Sequence, residues 1–283
     1  MLADSIAVIG NGVVGSAIVR GFLEHCTEVR VYDIRSEKST HTFPDALLCD
    51  FVFVSVATPS LPDGRCDLSA VHNVMEIAAG FQGNMILRST VPPGTTRMLA
   101  DRYRIPRLLH SPEFLTARCA HTDFQCPSRN LIGHLDTTEN VASAVALRQL
   151  YCSRFPGVPC YTFPAEVTEL AKLAQNSFFA VKLGFFNMVY DLCQAYRINY
   201  EDVRCSLLSD GRIAHAHTGI PCPASGTRGW GGACLPKDSA SFASLFKALG
   251  VPGEAFMRAV IEHNNQIRKL HPAYAANESS YLS

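Results

Sequence analysis

Short runs of consecutive apolar, mostly β-branched residues alternate along the first half of the chain with segments whose apolar positions recur every three or four residues. IAVIG (6–10), EVRVYD (28–33), FVFVSV (51–56) and NMILRS (84–89) read as strands, and PRLLHS (106–111), RNLIG (129–133) and VPCYTF (158–163) continue the series. Between them, Val13–His25 and the stretches 68–79 and 94–103 carry the helical period. Strand–helix alternation predicts parallel pairing, and strands apolar along their whole length suit a sheet covered on both faces. The first 163 residues are therefore expected to form an α/β domain built on a doubly wound sheet.

After Pro164 the pattern changes. AEVTELAKLAQNSFFAVKLGFFNMVYDLCQAY (165–196) contains one glycine and no proline, and its apolar positions keep helical spacing throughout. A helix of that length spans about 45 Å. Two further helices are expected near 239–249 and 253–269. The Pro/Gly-rich connector HTGIPCPASGTRGWGG (217–232) is incompatible with regular structure. Residues 164–270 thus read as a helical second domain with one long central helix. The tail 271–283 is expected to be loosely docked.

Composition narrows the function. Apolar residues make up 47 % and charged residues 18 % of the 283, enough for a sizeable core. Lys plus Arg equals Asp plus Glu at 25 each, which argues against a nucleic-acid partner. No basic-then-apolar leader opens the chain, and no apolar run reaches membrane-spanning length. Eleven scattered cysteines without a C-x-x-C pair point to reduced thiols in a cytoplasmic protein and to no metal site.

Gly10, Gly12 and Gly15 form G-x-G-x-x-G directly after the first strand and at the opening of the first helix. This spacing suits a tight turn, close approach of a pyrophosphate, and helix–strand packing, with the N–H groups of Val13, Val14 and their neighbours facing the phosphates. Asp33 closes the second strand, where a carboxylate accepts from ribose hydroxyls and repels a 2′-phosphate. The first domain is therefore Rossmann-like and its expected cofactor is NAD.

A second constellation lies further on. Lys172 and Asn176 stand four residues apart on the long helix, so a cation and an amide donor share one face, near Glu169 and Asn187. Such a pair stabilises a developing oxyanion, although a solvated polar face has the same spacing. GWGGACLPKD (229–238) places Cys234 after glycines and before a helical stretch for which Asp238 or Ser239 is the expected N-cap. A helix start beside Lys237 favours a reactive thiol, whereas a buried small residue is the plain alternative.

From about residue 5 to 268 the chain resembles the UDP-glucose/GDP-mannose dehydrogenase family. The resemblance rests on IAVIGNGVVG, Thr58 and Pro59 in VATPS, DGRCDLS (63–69), RSTVPPGTT (88–96), SPEFL (111–115), TELAKLAQNSFFAVKLGFFN (168–187), DGRI (210–213) and GWGGACLPKD. It implies NAD-dependent oxidation of a sugar nucleotide's primary alcohol to a carboxylate, in two hydride transfers, with Cys234 holding the intermediate as a thiohemiacetal and then a thioester. It implies an oxyanion-stabilising role for Lys172 and Asn176, and for Asp238 a role with Lys172 on the attacking water. Glu113 becomes an acid/base group, and Thr90 holds a water or the nicotinamide. Thr58, Pro59 and Lys237 join the cofactor site; Phe114, Leu115 and Gly231 contact substrate, and Arg212 reaches the sugar nucleotide, often across a subunit boundary. A homodimer through the long helix is also implied. Two departures stand out. Ala117 occupies the place of a second family glutamate, and the chain ends at Ser283, before the further Rossmann-like domain that grips the nucleotide in full-length members. A short form would take nucleotide contacts from the connector or another subunit, with His215, His217 and Arg228 as the available polar groups. A two-electron dehydrogenase of a smaller alcohol and a weakly catalytic NAD-binding regulator are the alternative readings.

Overall fold

A computed structural model describes residues 5–223 and 225–270; the tail 271–283 lies outside them. The elements follow in the order β1 (Ile6–Ile9), α1 (Val13–Phe22), β2 (Val29–Tyr32), α2 (Phe43–Ala46), β3 (Phe51–Val54), α3 (Ser69–Ile77), β4 (Asn84–Leu87), α4 (Thr95–Tyr103), β5 (Leu108–His110), α5 (Ala120–Gln125), β6 (Asn130–His134), α6 (Thr138–Arg154), β7 (Cys160–Pro164), α7 (Ala165–Tyr196), α8 (Tyr200–Leu208), α9 (Leu235–Leu249) and α10 (Glu254–Leu270). The chain divides into two compact units. The first holds residues up to Pro59 together with Cys66–Lys172; the second holds Ser60–Arg65 and the residues from Leu173 onward. The division falls inside α7.

In the first unit seven strands form one sheet in the order β2-β1-β3-β4-β5-β6-β7. Ile6–Ile9 and Phe51–Val54 are buried along their full length, as strands covered on both faces must be. One apolar layer on the sheet contains Val52, Val54, Met75, Leu87 and Leu99; another contains Ile18, Phe22, Phe53, Ile86 and Leu147. The strand order reverses direction at β1, which lies between β2 and β3. In open α/β sheets, ligands bind beyond the carboxyl ends of the strands at such a switch point.

The sheet is not wholly parallel, contrary to the expectation from strand–helix alternation. β6 runs antiparallel to β5, through His110 opposite Gly133, and parallel to β7. The connection from β5 carries a helix of six residues, α5, which packs on α1. The chain then re-enters the sheet at the end it left, so no crossover separates β5 from β6. Composition does not distinguish this excursion from a crossover.

In the second unit α9 and α10 pack as a pair, and Phe186, Cys193, Tyr200 and Ile220 form a small core with α7 and α8. α9 begins at Leu235, earlier than expected, because Pro236 occupies its first turn, where the missing N–H costs no hydrogen bond. Cys234 is the N-cap residue, and the expected cap, Asp238, lies within the helix. Helices α6 and α8 were not expected from the pattern. Among the described residues no helix is long and apolar enough to cross a membrane.

Candidate active site

The turn after β1 has the shape a dinucleotide needs. Gly10 has φ +94°, and a Cβ there would stand 2.6 Å from the carbonyl oxygen of Ser55. A Cβ at Gly15 would stand 1.9 Å from the Gly10 oxygen, so β1 and α1 approach as closely as they do only with glycine at this position. At Gly12 the same atom meets nothing within 4 Å. That open space, at the N-cap of a helix whose cap makes no side-chain hydrogen bond, fits an anionic phosphate group. Val13 and Val14 form the first turn of α1. Asp33 is buried at the end of β2 and accepts from the Asn11 N–H at 2.7 Å and the Arg35 N–H at 2.9 Å. Burial alone would raise its pKa; these bonds and the Arg35 charge hold it below the ordinary value. Arg35 Nε lies 3.6 Å from the same carboxylate, so it acts as a partner of Asp33. Thr58 and Thr90 are linked by a Thr58 hydroxyl donating to the Thr90 carbonyl at 2.9 Å. Pro59 follows directly and is exposed.

Also in the first unit, Glu113 and Lys172 form a buried ion pair, Nζ to Oε1 2.9 Å, with side chains 8 % and 3 % exposed. The other Glu113 oxygen accepts from the Leu115 N–H at 2.6 Å. Burial pushes the Glu113 carboxyl upward, but the Lys172 charge and these hydrogen bonds outweigh it and keep the carboxylate ionised. The Phe114 ring carries Lys172 Nζ at 5.4 Å and the Arg129 guanidinium at 4.5 Å from its centroid.

Residues beyond those expected support this pair. Glu169, fully buried one turn before Lys172, accepts from the N–H and hydroxyl of Thr96 at 2.7 and 2.6 Å and from the Gly94 N–H at 2.6 Å. It thereby ties α7 to the start of α4 and the RSTVPPGTT segment. Burial nevertheless pushes its pKa to about 7 against those bonds. His110, fully buried, bonds through Nδ1 to Thr168 Oγ1 at 2.8 Å. Burial, the Arg88 charge and then Lys172 drive its pKa down to about 3. Glu169 stood out in the sequence by its spacing on the Lys172 face; His110 carried no signal there.

The second unit holds the other expected groups. Asn176 Nδ2 donates to Asp238 Oδ2 at 2.5 Å, and Lys237 Nζ donates to Asp238 Oδ1 at 2.5 Å, with Asp238 fully buried. Cys234 is half-buried, and its carbonyl accepts from the Asp238 N–H at 2.8 Å. The GWGG loop is held from two helices: Asn187 Oδ1 accepts from the Gly229 N–H at 3.1 Å, while Asn264 accepts from the Trp230 N–H at 2.7 Å and donates to its carbonyl at 2.9 Å. Gly231 follows directly on the clamped Trp230 and is half-buried. Asn264 was not anticipated; a buried amide on the apolar face of α10 was the available sign.

Arg212 is not part of this set. Its side chain is 89 % exposed and paired with Asp210. Arg228 departs from the expected role of a cation for substrate: it lies 2.6 Å from Asp191 and over the Tyr190 ring, because its side chain is largely buried against α7. His217 stacks on Phe179 with centroids 4.0 Å apart, and His215 is exposed. Ala117 lies in a short 3-10 turn.

The fold and the Gly10–Asp33 turn define a dinucleotide-binding α/β protein of the dehydrogenase type. The chain matches the NAD binding domain of the UDP-glucose/GDP-mannose dehydrogenase family over residues 39–153 and its central domain over 166–266, and it belongs to that family. Its cofactor is NAD. It is 33 % identical over 249 residues to the UDP-glucose 6-dehydrogenase of Rhizobium meliloti, covering 81 % of this chain and 50 % of that protein. It is 28 % identical to the Rickettsia conorii UDP-glucose 6-dehydrogenase, covering 93 % and 67 %. A UDP-glucose dehydrogenase structure from Pyrobaculum islandicum superposes with TM-score 0.81 at 27 % identity, over 93 % of this chain and 68 % of that one. The fold also matches a Mycobacterium tuberculosis 3-hydroxyisobutyrate dehydrogenase, with TM-score 0.72 at 14 % identity over 95 % and 94 % of the two chains. The chain thus spans about half to two thirds of the length of the curated relatives it matches.

Proposed function

We propose that the protein oxidises the primary alcohol of a sugar nucleotide of the UDP-glucose type to the carboxylate, in two steps through a covalent bond to Cys234. The Gly10–Gly15 turn and Asp33 would hold NAD, which would supply the hydride acceptor for both steps. The observation that carries the reading is the pairing of a half-buried cysteine at the start of α9 with a fully buried Asp238 just beyond it, bonded by Asn176 and Lys237. A planar aldehyde does not release its C–H hydrogen as hydride, whereas the alkoxide of its tetrahedral thiol adduct expels it and collapses to a thioester. The Cys234 sulfur attacks the aldehyde carbon, the alkoxide oxygen takes its stabilisation from Lys172 and Asn176, and loss of the second hydride leaves a thioester. Water, deprotonated by Asp238 or Glu113, then releases the acid and returns the thiol. With Ala117 in place of a third carboxylate, those two are the bases this reading assigns.

The expected result is two NADH formed per UDP-glucose consumed, read from absorbance against product by chromatography. One NADH per substrate points instead to a two-electron dehydrogenase of a smaller alcohol. No NADH with any sugar nucleotide or free sugar leaves an NAD-binding regulator.

We also propose a homodimer through α7. Phe178, Phe185, Met188, Leu192 and Tyr196 lie on one face of the helix and are each between 47 and 74 % exposed. An apolar stripe of this length on a soluble chain is expected to be covered. Light scattering should give a mass of two chains, and Phe185→Glu with Leu192→Glu should return it to one; a wild-type mass of one chain contradicts the dimer.

A further inference from the structure

Arg88 is a charge without a countercharge. It is 93 % buried, being 7 % exposed, and forms no ion pair among the described residues. Its Nη1 donates to the hydroxyls of Ser111 at 2.9 Å and Tyr151 at 3.2 Å, and its Nε has no hydrogen-bond partner among the described residues. Glu113, a carboxylate that feels its field, is already paired with Lys172. Two buried cations therefore face one buried anion. The depressed pKa of His110, caused after burial by Arg88 and Lys172, reports the same excess of positive potential. Burying an unpaired charge costs several kcal/mol, so such groups are ordinarily paired.

Arg88 lines a cavity of about 290 Å³ within the first unit. Its lining includes the rings of Phe114, Phe124 and Phe155 and the Lys172-paired carboxylate of Glu113, and Arg129 stands at the cavity over the Phe114 ring. Asp123 also reaches the wall, with its Oδ2 taken by the Thr116 N–H at 2.7 Å. A guanidinium with open donor capacity in a cavity that also presents aromatic rings matches a ligand with one carboxylate and an apolar body. Bare phosphate would leave the rings unused, and a neutral ligand would leave the charge unpaired. The volume is at the lower end for small-molecule sites.

We propose that this cavity binds a small organic monocarboxylate, held by Arg88 and Arg129 and covered by Phe114, Phe124 and Phe155. The assignment rests on reading the Glu113–Leu115 loop as a ligand-binding loop, but not on the redox chemistry. Benzoate tests it, titrated into the full chain while the melting temperature is followed, with benzyl alcohol as the neutral match and inorganic phosphate as the anion without an apolar body. Benzoate should raise Tm saturably, and both comparison compounds should bind at least about tenfold more weakly, the loss expected when a charge-assisted hydrogen-bonded pair or its apolar cover is missing. Arg88→Met and Arg129→Met should each weaken benzoate by about tenfold or more. Where Arg88→Met does not fold, having lost its hold on Ser111 and Tyr151, Arg129→Met decides. Benzoate without effect on the wild-type chain, undiminished binding in a folded variant, or phosphate equal to benzoate overturns the assignment. NADH formation is assayed separately without benzoate, so a chain that binds benzoate and makes no NADH refutes the dehydrogenase reading and leaves this one standing.

Discussion

Cys234→Ser is expected to lower acid formation at least about 10³-fold, equivalent to about 4 kcal/mol of transition-state stabilisation, and to leave the melting temperature near that of the wild type. The reason lies in the order of the proposed steps. The hydroxyl of serine is a poor nucleophile without an adjacent base, so the aldehyde would not be captured as a tetrahedral adduct, and the second hydride would have no donor. The fold should tolerate the change because Cys234 is half-buried at the N-cap position of α9, where serine is itself a preferred capping residue. NADH per substrate should fall from two toward one in single-turnover experiments with high enzyme, with aldehyde trapped by an added amine. Iodoacetamide mass should disappear from residue 234 in the variant while the remaining cysteines label as before. Wild-type rates of acid formation in Cys234→Ser would remove the covalent mechanism, and with it the reason for reading GWGGACLPKD as chemistry.

The strands, the long helix and the glycine turn were legible because each is written in local periodicity. Ile6–Ile9 and Phe51–Val54 announce themselves as unbroken apolar runs, and α7 was bounded correctly because nothing in 165–196 interrupts its period. The antiparallel β6 was not legible, since the direction of a strand depends on where its connection travels and α5 is too short to declare that. The start of α9 lies earlier than expected because Asp238 and Ser239 are the residue types that cap helices, whereas Pro236 fits a first turn and lets the helix begin at Leu235. Among the candidate site residues, Lys172, Asn176, Cys234 and Asp238 were legible as types at helical or motif spacing. Their partners were not, because the Glu113–Lys172 and Asn176–Asp238 contacts join residues 59 and 62 positions apart. His110 and Arg88 lie in strand β5 and just past strand β4, where one polar residue in an apolar run gives no indication that it is buried.

Those buried groups make the stability of the fold depend on pH in two opposed ways. His110, neutral in the folded chain with its pKa at about 3 against an ordinary value of 6.5, must gain a proton only on unfolding. Its contribution is complete above pH 6.5 and is lost as pH falls toward 3, by about 5 kcal/mol in all. Glu169, with its pKa raised to about 7 from 4.5, behaves in reverse. The folded chain retains its proton where the unfolded one has released it, so the contribution is complete below pH 4.5 and is lost as pH rises to about 7, by about 3 kcal/mol. Between pH 4.5 and 6.5 the two slopes oppose each other, and the stability curve should be flat there. Below that window only the histidine acts, and between 6.5 and 7 only the glutamate. Urea unfolding from pH 3.5 to 8 resolves the two. Glu169→Gln should remove the decline on the alkaline side, and His110→Asn should remove much of the decline on the acid side, while the contribution of Glu113, common to all three proteins, cancels in the differences. Difference curves independent of pH would mean that Glu169 stays ionised, held by Thr96 and Gly94, and that His110 reaches solvent; the buried positive potential around Arg88 would then have to be abandoned with it.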